Sequence, residues 1–484
     1  MPEQLPKRIG FYSATSIVIG SIIGAGVFMK PSSMAAELGS PIWLALVWVI
    51  AGVFSLFGAL IFAELGALMP LTGGVYVYFR KMFGDFIAFL YGWAAFSVIN
   101  TAAVAAMSFV CAEYASHLIN VPQFNTETIN SITFNVPFIG RILPLENFGV
   151  KIIAILIVIS LTALNYRSVN AGNRFQVLAT AIKIFVMAAL VFGIFFSGNG
   201  EFANFYTAEN TKSGTALISS IVIAMTGAFF AYDGWINATF IAGEIKDPKK
   251  NVPRSLFTGV MTCIIIYVLI NQAYLYVMPV EEIASSSLVA SDAINKAWGR
   301  QGGNLIAALI VICTFGAING NIMATSRVTY AMGKDRSFLP WAGKEHKKFV
   351  TPGNALWLHG IWTCLFIITG SFNMLADMFV FITWVAYLAG AVGLMMLRRK
   401  MKGMTAEYKV WGYPIVPVLF ILFSAFYLTV TIVNDVQNYR AGTQPVVNSL
   451  LGLIITLSGV PIYFLYKKRA LGHSDSRETR SESK

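Results

Sequence analysis

Long apolar segments run through this sequence of 484 residues, separated by short polar connections. A helix needs about 20 mostly apolar residues to cross the hydrocarbon core of a bilayer. Because 56% of the residues are apolar and only 12% are charged, the composition lies far outside the range of soluble domains. We therefore predict an all-α integral membrane protein with twelve transmembrane helices. The predicted spans, numbered 1 to 12, are 10–38, 41–69, 86–115, 150–165, 175–197, 215–244, 254–279, 302–332, 354–372, 374–397, 412–434 and 447–467.

The distribution of basic residues predicts how these spans are oriented. If the N terminus is cytoplasmic, 26 of the 35 Lys and Arg residues fall in cytoplasmic connections and tails, and seven fall in external ones. This asymmetry favours cytoplasmic N and C termini, in the inner (plasma) membrane of the cell. The net charge of +12 is thereby explained without a nucleic-acid partner, which would need a basic face on a soluble domain.

Two of the predicted spans are interrupted near their middle by residues that disfavour a helix. Span 1 contains Gly24-Ala25-Gly26, and span 6 contains Tyr232-Asp233-Gly234 inside an otherwise apolar run. An unpaired amide in hydrocarbon costs several kcal/mol, so such a break is retained where the freed groups meet protein, water or a ligand. For span 1 alone, close packing of helices through small residues explains the glycines equally well.

The positions of the two breaks favour a transporter over simple helix packing. Interrupted spans at the first position of each five-span half indicate an inverted repeat with a binding site near the bilayer midplane. We predict a single transmembrane transporter domain over 1–484. Its parts are repeat one at about 10–197, repeat two at about 215–397, two extra helices at about 412–467 and a polar tail at 472–484.

Four stretches carry a resemblance to a known family. They are IGSIIGAGVFMKP (19–31), FAELGALMPLTGGVYVYF (62–79), FFAYDGWINATFIAGEIKDPKKNVPRSL (229–256) and SRVTYAMGKDRSFLP (326–340). In this order they resemble the amino acid–polyamine–organocation superfamily, most closely the L-type amino acid transporters and bacterial serine/threonine exchangers. The resemblance implies a leucine-transporter-type fold and exchange of small neutral L-amino acids by alternating access. The sequence departs from the usual Gly-Ser-Gly motif at Ala25, and from many eukaryotic members at Asp233, where they have glycine.

Main-chain groups at the two breaks are predicted to bind the parts that all amino acids share. The amides of Gly24, Ala25 and Gly26 would donate to the carboxylate at the positive end of a half-helix. Carbonyl groups at the ends of the first half-helices, those of Ile22, Phe230 and Ala231, would accept from the ammonium. The complete predicted substrate-binding set is Ile22, Ile23, Gly24, Ala25, Gly26, Phe230, Ala231 and Asp233.

Three side chains near the span 6 break have predicted roles. Phe230 is the gate candidate, because an aromatic ring beside the break can close over a ligand, and the alternative is ordinary packing. Tyr232 is a second, weaker gate candidate. Asp233 could meet the substrate ammonium, accept a proton during transport or cap loosened amides of span 6, and we favour capping.

A lysine inside span 5 is predicted to replace a bound cation. Lys183 lies well within the span, where a charge is costly and usually faces a cavity or a partner; snorkelling to cytoplasmic water is the alternative. The family resemblance implies that its ammonium occupies the place where sodium-coupled relatives of the fold bind their cation, bridging spans 1 and 5 through carbonyls near Gly20–Ile23. This predicts sodium-independent transport.

Other functions are less well supported by the sequence. An antiporter of cationic amino acids or polyamines is the alternative, motivated by Asp233. A receptor would need a signalling domain, and a channel would need repeated pore-lining segments. We also expect that the protein is not an enzyme and that it has no metal site, cofactor or obligatory protein partner. The expected partners are an amino acid substrate and the lipid bilayer. Glu64, near the inner end of span 2, is interpreted as a buried hydrogen-bonding anchor, with proton carriage as the alternative.

Overall fold

The structure is a computed structural model that describes most of the chain. The described residues are 9–69, 74–119, 121–136, 140–167, 169–207, 212–240, 242–335, 337–349, 351–400 and 408–466. Of 136, 140, 169–181, 240 and 243, only the backbone is described. The predicted polar tail at 472–484 lies outside these residues.

Helices make up almost all of the described chain, and they confirm the predicted all-α membrane architecture. Nine of the helices formed by the described residues are long and apolar enough to cross a membrane, and a bent pair of helices forms a tenth such span. The nine are Pro41–Leu68, Asp85–Leu118, Phe148–Arg167, Gly214–Thr239, Pro248–Val277, Arg300–Lys334, Phe372–Lys400, Ile415–Arg440 and Asn448–Tyr466.

Predicted spans 5 and 9 are also helical. They correspond to the helices Val169–Phe195 and Gly353–Thr369. The second has 17 residues, somewhat fewer than a helix usually needs to cross a bilayer. The total of twelve spans therefore stays a prediction, as does the division of the chain into two inverted repeats.

The break predicted in span 1 is present. Half-helix 1a, Phe11–Ile22, and half-helix 1b, Gly26–Leu38, meet at an angle of 45°. Such a sharp bend needs a local cause, and here residues 23–25 have no helical structure. The helix is therefore interrupted here. Close packing through small residues, the alternative interpretation, also holds at Gly26, where an added Cβ would lie 2.5 Å from Ala231 Cα.

Span 6 is also broken where the sequence predicts. Half-helix 6a, Gly214–Tyr232, ends one residue before Asp233, whose backbone is extended. A turn over 233–236 follows, and the chain then forms the short helix Asn237–Phe240 and a 3-10 turn over Ala242–Glu244. The second half of span 6 is thus much less regular than that of span 1.

Span 3 contains a wider turn that the sequence does not predict. Residues Ala95–Asn100 form a π-helix between two α-helical segments, Asp85–Ala94 and Thr101–Leu118. Two side chains bind the carbonyl groups that the wider turn leaves available. The Thr101 hydroxyl donates to Phe96 O at 2.9 Å, and the Trp362 indole donates to Ser97 O at 2.9 Å. A π-helical turn of this kind often lies at a functional site.

Several shorter elements lie between the spans and were not predicted. Helix Gly74–Phe83 connects spans 2 and 3, while helices Val280–Ser285 and Val289–Trp298 connect spans 7 and 8. A two-stranded antiparallel hairpin, Phe134–Val136 with Gly140–Ile142, lies between spans 3 and 4. These helices and strands are too short, or too polar on one face, to stand out in a search for membrane-length apolar segments.

Glu64 anchors span 2 to the end of span 10, as the favoured interpretation predicts. The Arg398 guanidinium donates to both Glu64 carboxylate oxygens, at 2.6 and 2.5 Å, and the Val410 amide donates to Oε2 at 2.7 Å. The Glu64 side chain is 1% exposed, so its charge depends on these partners. The Arg398 side chain also lies over the Tyr413 ring, 3.7 Å from its centroid.

Replacing Arg398 with methionine is expected to lower the free energy of unfolding by about 3–5 kcal/mol, because it leaves a buried carboxylate without its counter-charge. Thermal unfolding of the detergent-purified protein measures this loss. The double variant Glu64→Gln/Arg398→Met should recover much of it, because the remaining side chain is neutral. If Arg398→Met unfolds at the wild-type temperature, the ion pair does not stabilise this end of the bundle.

Candidate functional site

The two breaks contact each other backbone to backbone. A Cβ atom built on Gly26 would lie 2.5 Å from Ala231 Cα, and one built on Gly234 would lie 2.3 Å from Ser21 O. Gly234 also has a φ of +116°, a conformation that L side chains rarely adopt. Only glycine permits such close approaches of main chains, so each break carries a glycine that fits against the other broken helix.

Gly24 differs from Gly26 in its surroundings. The nearest atom that a Cβ on Gly24 would meet is Ile22 O, at 3.7 Å. Gly24 therefore has space beside it, whereas Gly26 is covered by Ala231. The side chains of Ile22, Ile23 and Ala25 are buried, and binding of a carboxylate by the main chain of this segment stays a prediction.

A tyrosine of span 7 joins the two breaks. The Tyr267 hydroxyl lies 2.9 Å from Ile22 O and 3.1 Å from Ala231 O. These are two of the three carbonyl groups predicted to accept the substrate ammonium, and each has a second lone pair for another donor. Sequence reasoning missed Tyr267, although a tyrosine inside an apolar span needs a partner for its hydroxyl.

Lys183 makes the contact with span 1 that the sequence predicts. Its side chain is 1% exposed, and its ammonium donates to Gly20 O at 3.1 Å. Gly20 lies in the last turn of half-helix 1a, where carbonyl groups have no amide partner within the helix. The lysine therefore binds main chain immediately before the break instead of extending to water, and its role in place of a bound cation stays a prediction.

Asp233 directs its carboxylate at span 10. The Tyr387 hydroxyl donates to Asp233 Oδ1 at 2.6 Å. The capping role that we favoured for Asp233 stays a prediction. The bond to Tyr387 was not predicted, since the sequence cannot show which span lies opposite the break.

Phe230 lies in an aromatic cluster on the side of the breaks that faces Lys30. Its ring is 5.6 Å from the Phe372 ring and 5.9 Å from the Phe379 ring, measured between centroids. The Lys30 ammonium lies 4.8 Å from the Phe372 centroid and donates to Asn373 and to Asp377. Half-helix 1b and span 10 are thus held together above Phe230, and the gate role of Phe230 stays a prediction.

Tyr232 packs inside the bundle. Its hydroxyl donates to Trp48 O at 3.0 Å, and its ring contacts the rings of Trp48 and Tyr267. The side chain is fully buried. In the conformation described, Tyr232 is therefore a packing residue, and its gate role stays a prediction.

A cavity lies next to the Phe230 cluster and shares Phe379 with it, and its empty volume of about 480 Å³ includes space open to solvent. Spans 3, 6, 8 and 10 line it, together with Val75 from the helix that follows span 2. Its lining residues with polar side-chain groups are Tyr91, Asn100, Asp233, Asn237, Asn321, Thr383 and Tyr387. A second cavity, of about 220 Å³, shares Asp233 and Tyr387 with the first.

The structure brings only some of the predicted site residues to these cavities. Asp233 lines both of them, whereas neither lining includes any residue of 22–26 or Phe230 and Ala231, whose carbonyl groups are predicted to accept from the ammonium. The two breaks meet each other, but binding of a carboxylate by the amides of Gly24, Ala25 and Gly26 stays a prediction. The residues of spans 3, 8 and 10 were not predicted, because single polar residues in apolar spans give no signal of the direction they face.

Comparison with known proteins identifies the family. A family model described as amino acid permease matches residues 9–458 of this chain. The serine/threonine exchanger SteT of Bacillus subtilis (strain 168) is 30% identical over 470 residues, which cover 96% of this chain and 98% of that protein. The large neutral amino acids transporter small subunit 2 of Homo sapiens is 30% identical over 473 residues, which cover 95% of this chain and 80% of that protein.

A third relative is the b(0,+)-type amino acid transporter 1 of Homo sapiens, 28% identical over 471 residues, which cover 96% of this chain and 88% of that protein. All three alignments extend over nearly the whole chain and include both breaks. The resemblance that the motifs carry is therefore confirmed over the whole domain. The chain belongs to the amino acid permease family, within the amino acid–polyamine–organocation superfamily of multi-pass membrane transporters.

Proposed function

We propose that this protein exchanges small neutral L-amino acids across the inner (plasma) membrane, without sodium and without an obligatory partner subunit. The observation that carries this proposal is the meeting of two broken helices, where Gly26 fits against Ala231 and Gly234 against Ser21. Main-chain donors and acceptors of both breaks come together there, as binding of a zwitterion requires. The printed names of SteT and of the large neutral amino acids transporter support the substrate class.

In the proposed mechanism, repeats one and two move relative to each other around the breaks. The amides of Gly24, Ala25 and Gly26 bind the carboxylate once Gly26 separates from Ala231, and the carbonyl groups of Ile22, Phe230 and Ala231 bind the ammonium. The single hydroxyl proton of Tyr267 can bind either the Ile22 or the Ala231 carbonyl group when no ammonium is bound. The lining of the cavity includes Val75 and Tyr91, at the end predicted to be cytoplasmic, whereas Lys30 joins half-helix 1b to span 10 at the opposite end.

Sodium independence follows from the contact of Lys183. A sodium ion at the break would be bound by main-chain carbonyl groups of span 1, and the Lys183 ammonium already binds Gly20 O. The ammonium supplies a fixed positive charge in the same environment. Transport then needs no added cation, because this charge is part of the protein.

Exchange in proteoliposomes tests the proposed function. Vesicles that contain the purified protein are preloaded with unlabelled serine, alanine, arginine or buffer, and uptake of labelled serine is measured with and without sodium and with and without a proton gradient. We expect uptake to rise several-fold with internal serine or alanine and to be the same in sodium and in choline. Uptake that requires sodium, or that internal neutral amino acids do not accelerate, would contradict the proposal.

A second candidate function is exchange of cationic amino acids. It is favoured by one observation, the Asp233 carboxylate in the lining of both cavities, where no Lys or Arg residue accompanies it. The b(0,+)-type transporter among the relatives is compatible with this reading. The same vesicles distinguish the two candidates, because acceleration by internal arginine or putrescine alone would favour the second. In that case Asp233→Asn should lose the arginine response.

A further inference from the structure

We propose that spans 11 and 12 form an external clasp, which ties half-helix 6a to span 10 and is released each time the transporter opens outward. The clasp is the set of hydrogen bonds made by Ser219, Asn434, Asp435, Ser449, Asn448 and Asp377. The inference rests on the proposed function, because it concerns the movement that alternating access requires. It gives a role to the two extra helices, for which the sequence suggests none.

Span 11 is hydrogen-bonded to half-helix 6a at two heights. The Ser219 hydroxyl donates to Asn434 Oδ1 at 2.7 Å, and the hydroxyl groups of Thr226 and Tyr427 lie 2.8 Å apart. In each helix the two bonded residues are seven positions apart, which is about two turns, so they lie on the same face. Two bonds at this spacing fix the position and the direction of one helix relative to the other. Half-helix 6a and span 11 therefore move together.

Span 12 is attached instead to spans 3 and 10. The Trp93 indole of span 3 donates to Ile455 O at 2.9 Å. A Cβ atom built on Gly452 would lie 2.9 Å from Met378 Cγ and from Ile382 Cγ1, both in span 10. A small residue allows two membrane helices to approach this closely. Span 12 therefore moves with spans 3 and 10.

Asp435 joins span 11 to span 12. Its carboxylate is buried, with the residue 8% exposed, and Oδ2 accepts from the Ser449 amide at 2.8 Å. Ser449 lies in the first turn of the span 12 helix, where amides have no partner within the helix and the helix dipole favours a negative charge. Asp435 thus caps span 12 from the neighbouring span, with a hydrogen bond of the stronger, charged kind.

The turn that Asp435 holds also carries Asn448, which reaches the contact of Lys30. Asn448 Nδ2 donates to Asp377 Oδ2 at 3.4 Å, and the Lys30 ammonium lies 3.4 Å from the other oxygen, Oδ1. Asn448 is 5% exposed. Asp435 and Asn448 are therefore positioning residues, because they hold the carboxylate that binds half-helix 1b to span 10.

Opening toward the outside requires half-helices 1b and 6a to separate from span 10. Because span 11 follows 6a and span 12 follows span 10, this movement breaks the bond between Asp435 and Ser449 as well as the contact of Lys30. Span 11 also packs on span 10 through Trp384 and Phe420, whose rings stack at 5.5 Å, and packed helices of this kind can slide by small amounts. Weakening the clasp should therefore favour the outward-open state.

Labelling of cysteine reporters from each side of the membrane tests the clasp. All variants carry alanine in place of the four native cysteines. The external reporter is Phe230→Cys, because Phe230 is 7% exposed and its ring lies 5.9 Å from the Lys30 ammonium. It is labelled with a membrane-impermeant maleimide added to intact cells. The second reporter is Ala103→Cys, in the lining of the larger cavity, and it is labelled in inverted membrane vesicles.

We expect Asp435→Ala to raise the labelling rate of the external reporter about tenfold, as the loss of one hydrogen bond to a charged group predicts. Asn448→Ala should raise it about threefold, because its bond to Asp377 is longer. Ala103→Cys should be labelled no faster than in the parent protein, since opening outward closes the cytoplasmic side. A variant that is only less stable would expose both reporters.

Ser424→Ala is the matched control. The Ser424 hydroxyl is buried in span 11 and donates to Phe420 O of its own helix at 2.7 Å, so its removal leaves the clasp unchanged. Both reporters should then be labelled at the parent rate. Should Asp435→Ala fail to reach the membrane, Asp435→Asn and Ser219→Ala weaken the same clasp and provide the comparison.

Serine exchange by the wild-type protein separates the two levels of the proposal. If it exchanges serine, but the external reporter is labelled at the parent rate in both Asp435→Ala and Asn448→Ala, the clasp is overturned and the proposed function stands. Faster labelling of both reporters would likewise overturn the clasp, because it indicates general loosening. Labelling as expected in a protein that exchanges no amino acid would overturn the proposed function and leave the clasp intact.

Discussion

Replacing Gly26 with alanine is expected to reduce amino acid exchange by about ten- to a hundredfold, whereas Gly24→Ala should keep most of the activity. The added methyl group on Gly26 would lie 2.5 Å from Ala231 Cα, and a main-chain atom cannot turn aside as a flexible side chain can. Forcing extra volume into a packed contact costs about 1–3 kcal/mol, which corresponds to this loss if the breaks must meet in each cycle. Exchange of labelled serine in proteoliposomes measures it.

Gly24→Ala is the matched control, because it adds the same methyl group two residues away, where the nearest atom is 3.7 Å distant. The substitution leaves the amide of residue 24 in place. Size-exclusion chromatography of both variants shows whether each one still folds. If Gly26→Ala folds and exchanges serine at the wild-type rate, the contact between the breaks has no part in transport.

Lys183→Ala is expected to lower exchange by about ten- to a hundredfold while the protein still reaches the membrane. The substitution removes a charged hydrogen bond to Gly20 O, and hydrogen bonds to charged groups contribute about 1.5–3 kcal/mol. It also removes the positive charge that we propose takes the place of a cation at the break. Exchange rate and membrane insertion are measured on the same preparation, with sodium present and absent.

Lys151→Met provides a comparison with another buried lysine. Lys151 is 4% exposed and donates to three main-chain carbonyl groups, those of Leu143, Pro144 and Ile368, but it is remote from both breaks along the chain. Its replacement should lower thermal stability while the remaining folded protein exchanges serine normally. Full exchange activity in Lys183→Ala would instead assign that lysine a structural role only.

The parts of this fold that the sequence predicts well are those that depend on local patterns. Twenty or more apolar residues identify a membrane helix, so the observed helix bounds agree with the predicted spans within several residues. The breaks at Gly24–Gly26 and at Asp233–Gly234 are also local, because the residues themselves disfavour a helix. The contact of Lys183 with span 1 was predicted from the family resemblance.

The parts that the sequence does not predict depend on which spans are neighbours. Tyr267 and Tyr387 bind groups of the breaks from spans 7 and 10, and nothing in their own apolar surroundings indicates those partners. The residues of the π-helical turn at Ala95–Asn100 would suit an α-helix equally well, so the hydropathy pattern does not reveal the turn. Close contact of Gly26 with Ala231 similarly becomes visible only when both half-helices are in place.

The central claim is that main-chain groups of the two breaks bind the carboxylate and ammonium of an amino acid. A cryo-electron microscopy structure of the protein with bound serine tests it most directly. We predict the serine carboxylate within about 3 Å of the amides of Gly24, Ala25 or Gly26, with its ammonium at the carbonyl groups of Ile22, Phe230 or Ala231. A carboxylate bound by side chains elsewhere in the bundle, with both breaks unoccupied, would contradict the claim.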